Sequence, residues 1–391
     1  MRQYELDYIL TTMLDSHVDV SDLNFTVGKP CQVESSGELI PVALVPPIDR
    51  LTPFQTETLA LSLINGDRRL SKTLLLEGSC DTSYQLAGKA RFRVNIFSQK
   101  GHYSVVMRLL AAKVPTLKGL GLPPAFYAMG EEKNGIILIT GATGTGKSTS
   151  LAAVLNEINE TKPVHVITLE DPIEYLHTQK MATFNQRELG ADFRSFAAGL
   201  RSSLRQAPKV ILVGEMRDRE TVEIGLRAAE TGHLVLSTLH TTDVGQTVNR
   251  ILGLFEHEEE RQIRTRFADA MRWIVCQRLL PRVVGGGRIA AFEIMGSSLR
   301  AKDCIVQGEA EGRTFYEIIQ AGHAFGMMTF DQCISRFYRD NLITEETAVT
   351  YASRKPIIRR AVDSFKSSRG EKTTTIEDLT VDTDYGKRGG I

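Results

Sequence analysis

The stretch IILITGATGTGKSTS, Ile136 to Ser150, leaves a chain few folds to choose from. An apolar run rich in isoleucine passes into Gly141-x-x-x-x-Gly146-Lys147-Ser148, and the helix-forming LAAVLNEIN follows. A strand that turns through glycines into a helix is a phosphate-binding loop in its required setting. The glycines let successive N–H groups point at one anion, and the helix start adds its own donors and dipole. The loop residues Gly141, Ala142, Thr143, Gly144, Thr145, Gly146, Lys147, Ser148 and Thr149 are therefore the expected nucleotide-binding element. Lys147 brings an ammonium toward the β and γ oxygens of ATP, and Ser148 offers a hydroxyl to Mg²⁺.

Three more apolar runs end in groups that suit such a site. VHVITLEDPIEY closes on Glu170, Asp171 and Glu174, carboxylates able to hold water on Mg²⁺ or to polarise an attacking water. Asp171, just before Pro172, serves equally well as a helix cap. KVILVGEMRD ends in Glu215, where an acid near Mg²⁺ orients or deprotonates water. LVLSTL is flanked by His233 and His240, two of only eight histidines. If Leu234 to Leu239 is a strand, the two imidazoles stand roughly 20 Å apart, too far to share a metal. His240, at the carboxyl end, is placed to donate to a γ-phosphate, and His233 reads as a structural or interfacial residue.

At 391 residues the chain exceeds the usual size of one hydrophobic core, so two domains are expected. Residues 1–112 read as a small mixed domain, with a helix over Tyr4 to Leu14, a GELIPV strand, a helix around Pro53 to Ile64, then RFRVNIF and YSVVMRLL. The alternation in RFRVNIF sets Arg91 and Arg93 on one face. A Pro- and Gly-rich linker follows over 113–124. Strands and helices then alternate through 125–360 as in a doubly wound α/β domain, and 361–391 reads as a disordered polar tail. Lys and Arg together number 47, as do Asp and Glu, which argues against a broadly basic nucleic-acid surface. Five cysteines without a C-x-x-C pair point to neither a zinc module nor a disulfide framework, and a reducing cytoplasmic setting fits. Polar residues near the start and the lack of a long apolar run predict no direct membrane insertion.

Taken together, GATGTGKSTSLAA, ITLEDPIEY, LRQAPKVILVGEMRDRETV and AAETGHLVLSTLHTTD resemble the Walker A, Asp box, Walker B and His box of secretion ATPases. More closely, they resemble those of the type IV pilus retraction ATPases of twitching motility, the PilT/PilU group. SDLNFTVGKP, ARFRVNIF, RIAAFEI and GMMTFDQCISRFYRDNLIT match in order and carry the likeness over roughly residues 4 to 352. The resemblance implies an N-terminal PAS-like α+β domain followed by a RecA-like P-loop ATPase domain. It also implies ATP and Mg²⁺, a homo-hexamer at the inner-membrane base of the pilus machine, a membrane platform protein as partner, and no nucleic acid. Residue by residue, Lys147 and Ser148 would bind ATP and Mg²⁺, Glu215 would activate water near the metal, and Glu170, a further metal candidate, and Glu174 would assist. His240 would sense the γ-phosphate, and Arg91, Arg93 and Arg108 match arginines that reach nucleotide from the N-terminal domain, Arg91 and Arg108 foremost. Against an AIRNLI-like segment common in retraction ATPases this chain reads MGSSLRAKDCIVQGEA, and its polar tail is extra. An accessory role beside a paralogous ATPase is therefore open. Extension and type II secretion ATPases usually carry a tetracysteine insertion and a longer N-terminal region, both missing here. A nucleic-acid translocase on the same core would need a basic, aromatic channel segment. A non-hydrolysing subunit would have lost Lys147 or Glu215.

Overall fold

The alternating runs of the N-terminal region pair into one antiparallel sheet. The computed structural model describes residues 2–110, 113–283 and 285–370. Six strands, β1 (Val20–Phe25), β2 (Gln32–Ser35), β3 (Glu38–Pro41), β4 (Ser79–Leu86), β5 (Ala90–Gln99) and β6 (His102–Leu109), lie in the order β3-β2-β1-β6-β5-β4. In β5 the period of two buries Phe92, Val94 and Ile96 and turns Arg91 and Arg93 to the other face. The buried face meets Leu6, Leu10 and Met13 of helix Gln3–Asp15, Leu59 and Leu63 of helix Pro53–Ile64, and Leu70 and Leu74 of helix Arg68–Glu77. This is the PAS-like α+β layer. Helix Pro53–Ile64 starts where its sequence says it should, because Thr52 and Gln55 form a capping box around Pro53.

A second sheet has seven strands: β7 (Gly135–Thr140), β8 (His165–Glu170), β9 (Thr183–Glu188), β10 (Val210–Val213), β11 (Leu234–Leu239), β12 (Met271–Pro281) and β13 (Arg288–Gly296). Their order is β13-β12-β7-β11-β10-β8-β9, the RecA-like arrangement in which β11 separates the P-loop strand from β10. Strand β12 runs parallel to β7, β10 to β8, and β8 to β9, while β13 folds back antiparallel on β12. Gly141 N–H, just past the end of β7, donates to the Leu239 carbonyl that ends β11, at 3.3 Å. Leu234 N–H, opening β11, donates to the Lys209 carbonyl ahead of β10 at 3.0 Å. These bonds align the end of β7 with the end of β11, and the start of β11 with that of β10. Every residue of β7, β10 and β11 is buried, as strands of a parallel sheet covered on both faces must be.

The expected alternation of strand and helix up to residue 360 stops sooner. After β13 the described chain is helical, with helices Leu299–Gln307, Phe315–Ala321, Phe330–Arg339, Glu345–Tyr351 and Lys355–Ser368. Ile305, Ile319, Ile334 and Ile358 are fully buried along this segment. The tail expected from 361 is likewise corrected at its start, since the last helix buries Ile358 and Val362 and continues to Ser368. Residues 371–391 of that tail lie outside the described residues. The segment 113–124 contains a helical turn, Leu117–Leu120, capped by Thr116. By contacts the chain forms two units that do not follow chain order: Met1–Leu122 with Ser148–Met216 and Gly232–Val235, and Pro123–Lys147 with Arg217–Thr231 and Leu236–Ile391. Among the described residues no helix is long and apolar enough to cross a membrane.

Candidate functional site

The P-loop is shaped by its glycines and held by β12. Gly141, Gly144 and Gly146 have φ of +145°, +77° and +87°, conformations that L side chains rarely adopt. A Cβ on Gly141 would lie 2.4 Å from the carbonyl oxygen of Gln277, so the loop leaves β7 by a backbone approach that only glycine permits. Gln277, 3% exposed, donates its Nε2 to the carbonyl of Thr145 at 2.7 Å. Lys147 is buried, and its ammonium donates to the carbonyls of Gly141 at 2.8 Å and Ala142 at 3.0 Å. Ala142, Thr143 and Gly144 are exposed, and Ser148 and Thr149 lie half-buried on helix Lys147–Thr161. Glycine-freed amides, a buried ammonium and a hydroxyl at a helix start form a donor set that fits a polyphosphate together with its divalent cation.

The Asp box supplies three carboxyl groups in different surroundings. Glu170, ending β8, accepts from the Thr168 hydroxyl at 2.5 Å and from Gln186 Nε2 at 3.1 Å. Burial pushes its pKa up to about 7, with the nearby Glu174 charge adding and the hydrogen bonds opposing. A carboxyl poised there can exchange a proton near neutrality. Asp171 and Glu174 are exposed, and the Tyr175 and Thr149 hydroxyls hydrogen-bond at 3.0 Å, tying the box to the P-loop helix.

The three arginines stand on the face of the N-terminal sheet that this loop meets. Arg91 donates to Glu188 at 2.6 Å and to the Ser83 hydroxyl at 2.8 Å. The same Glu188 oxygen accepts Ile173 N–H at 3.2 Å, so Arg91 is linked to the Asp-box loop through a buried acid. Arg93 and Arg108 face each other in register. Both line a cleft of about 260 Å³ with Leu109, Leu110, Pro172, Glu174 and Tyr175. Arg108, 70% exposed, also donates to Asp22 at 2.9 Å. Arg91 is thus committed to Glu188 in this structure, and Arg93, Arg108 and Glu174 share one cleft.

Glu215 is half-buried just past β10, where Gly214 N–H donates to the Leu169 carbonyl at 2.7 Å. His240 is exposed just past β11, and His233 lies half-buried at the other end of that six-residue strand. The two histidines therefore serve different places. The loop after His240 is anchored below. Thr241 and Thr247 hydroxyls pair at 2.7 Å, Asp243 caps helix Val244–Leu252 through Gln246 N–H at 2.8 Å, and Val244 N–H donates to Glu293 Oε1 at 3.0 Å. Burial pushes the Glu293 carboxyl up to about 7; Asp243 and Asp331 push the same way, while the Val244 hydrogen bond and Arg278 oppose. Gln277, Glu293, Arg278 and Glu188 were not read from the sequence. For Gln277, Arg278 and Glu293 the signal was a polar letter inside an apolar strand, as in WIVCQRLL and AAFEIM, whereas Glu188 ends the largely polar TFNQRE and carried none.

The family described as Type II/IV secretion system protein matches residues 80–380. The type IV pilus retraction ATPase PilT of Pseudomonas aeruginosa is 39% identical over 328 residues, covering 84% of this chain and 93% of that protein. The type IV pilus ATPase PilU of the same organism is 34% identical over 373 residues, covering 94% and 96%. A crystal structure of the pilus retraction motor PilT with bound ADP superposes with a TM-score of 0.80 at 38% identity, covering 90% of this chain and 98% of that one.

Two outcomes are expected from this geometry. Gly141→Ala drives a methyl into the Gln277 carbonyl, so the Kd of a fluorescent ATP analogue should rise at least about tenfold while circular dichroism stays unchanged; each factor of ten corresponds to about 1.4 kcal/mol. Unchanged affinity would mean that the loop can leave β12 at no cost. For Glu293 the folded pKa is raised from 4.5 to about 7, so the folded chain holds the extra proton between those values. Its contribution is most favourable below 4.5 and is lost as pH rises toward 7. Urea unfolding of Glu293→Gln against the parent should show the parent losing on the order of 3 kcal/mol relative to the variant from pH 4.5 to 8. A flat difference would remove the buried-acid assignment.

Proposed function

The chain belongs to the type II/IV secretion system protein family, and on that premise we propose that it is the ATP-hydrolysing motor that withdraws a type IV pilus. It is a P-loop ATPase. The observation that carries the retraction reading is the 39% identity to a pilus retraction ATPase across 93% of that protein's length, joined to the Lys147 loop at the carboxyl edge of the sheet. In this reading Lys147 exchanges the carbonyls of Gly141 and Ala142 for β and γ oxygens, an ammonium-to-anion contact stronger than the neutral ones it leaves. Ser148, with Glu170 and Glu215 near by, would hold Mg²⁺, whose charge neutralises the triphosphate when bound. Glu215 orients or deprotonates the attacking water, with Glu170 and Glu174 assisting, and His240 donates to the γ-phosphate and registers its loss. Arg91 and Arg108 supply guanidinium to the phosphates in the hydrolysing state, which requires Arg91 to leave Glu188.

The functional division we propose is the chain-order one, an N-terminal domain over 1–112 and an ATPase domain from 125 through the end of helix Lys355–Ser368. Six copies form a ring in the cytoplasm at the inner-membrane base of the pilus, acting on a membrane platform protein. A second reading, an accessory ATPase working beside a retraction paralogue, is favoured by the longer match to PilU, which takes in 94% of this chain.

Hydrolysis of Mg-ATP by the purified full chain tests the chemistry. Lys147→Ala should lose nucleotide binding, whereas Glu215→Ala should bind ATP at near the parent Kd and turn over about 10² to 10⁴ times more slowly, the usual loss of a proton-transfer group. Parent-like turnover by Glu215→Ala would move the base to Glu170.

A further inference from the structure

Strand β12 touches both nucleotide-facing loops with consecutive residues. The Thr140 hydroxyl, at the end of β7, donates to the thiol of Cys276 at 3.2 Å, and that thiol lies 4.0 Å from the Thr247 hydroxyl beneath the His240 loop. Gln277 holds the P-loop through the Thr145 carbonyl. Arg278 comes next and faces away from the P-loop. One nitrogen of its guanidinium donates to the Tyr351 carbonyl at 2.8 Å and to the Ser353 hydroxyl at 3.4 Å. The other reaches the Thr242 carbonyl at 3.4 Å, two residues after His240. The guanidinium carbon lies over the ring of Phe330, 3.8 Å from its centre, at the start of helix Phe330–Arg339.

A single planar cation thus joins the His240 loop to the end of helix Glu345–Tyr351 and to the start of another helix. The turn it grips is rigid on its far side, where buried Asp331 accepts Ser353 N–H at 2.8 Å and Arg354 N–H at 3.0 Å and takes the Tyr316 hydroxyl at 3.0 Å. Guanidinium suits this place because its fork of donors serves carbonyls in two directions while its face stacks on an aromatic ring; an ammonium cannot do both. The bond to Thr242, at 3.4 Å, is longer than the 2.8 Å bond to Tyr351, so a small shift of the loop makes or breaks it while the hold on the helix end persists.

We infer that Arg278 is a positioning residue that passes the state of the His240 loop to the C-terminal helices, so that nucleotide occupancy is felt at residues 344–358. The inference rests on the proposed ATPase function. Loop and helices then move as one body, and turnover slows when they are uncoupled although ATP still binds.

The test is amide hydrogen exchange of the full chain with and without a non-hydrolysable ATP analogue, alongside steady-state kinetics, for the parent, Arg278→Ala and Arg278→Lys. In the parent the analogue should slow exchange at residues 344–358. In Arg278→Ala that nucleotide-dependent difference should vanish and kcat should fall about tenfold, with KM and analogue affinity within about twofold, since the lost bonds to a charged donor lie outside the phosphate site. Arg278→Lys should keep the fold and sit between the two, and it stands in if the alanine variant does not fold. A merely structural arginine would alter exchange equally with and without analogue. That result, parent-like kcat in both variants, or a parent whose residues 344–358 ignore the analogue overturns the inference and leaves the ATPase reading intact. A parent that fails to hydrolyse ATP while still binding the analogue would instead sink the ATPase reading.

Discussion

The backbone of Gly141 approaches the carbonyl of Gln277 more closely than any side chain at that position would allow, and much of the site follows from that contact. It lets the first residue of the P-loop lie against β12 while its N–H bonds to Leu239 of β11, and the Gln277 amide holds the Thr145 carbonyl four residues on. Between these two points Ala142, Thr143 and Gly144 are exposed, and Lys147, just beyond, folds back onto the carbonyls of Gly141 and Ala142. A phosphate-binding loop needs such bracing because its donors must already point inward when the anion arrives; ordering them at that moment would cost binding energy. The bracing strand is far along the chain, so the P-loop is held by a buried glutamine that no local motif announces.

Much of this was legible in the sequence. The positions of the P-loop, of the acids after β8 and β10 and of the histidine after β11 were readable because each follows an apolar run that forms a strand. The separation of His233 from His240 followed from strand rise alone. Less visible were β1, β2 and β4, which are short or carry many polar residues; β4, SCDTSYQL, is a strand chiefly because β5 pairs with it. The helical segment after β13 was hidden for a related reason. Its helices are short, broken by caps such as Ser298, Thr314 and Thr344, and imitate the spacing of an alternating fold.

The site was legible in its chemistry and opaque in its connections. Arg91 reads as a candidate phosphate ligand, yet its partner here is Glu188, from the end of β9. That pairing gives the arginine a definite resting place. A buried acid left without its partner is costly, so on the proposed function Arg91 would leave Glu188 only for a stronger anion such as a triphosphate. Glu293 and Arg278 likewise carry no motif of their own. They acquire meaning once β12 and β13 place them under the His240 loop. On the proposed function, these contacts would let nucleotide chemistry reach helices that take no part in it.

The central claim, that this ATPase withdraws pili, is tested most directly by counting surface pili in a strain carrying a clean deletion of its gene, together with twitching on a surface. A withdrawing motor predicts cells with more pili than the parent and with twitching lost or reduced. Cells without surface pili would make the chain an assembly motor and contradict the account.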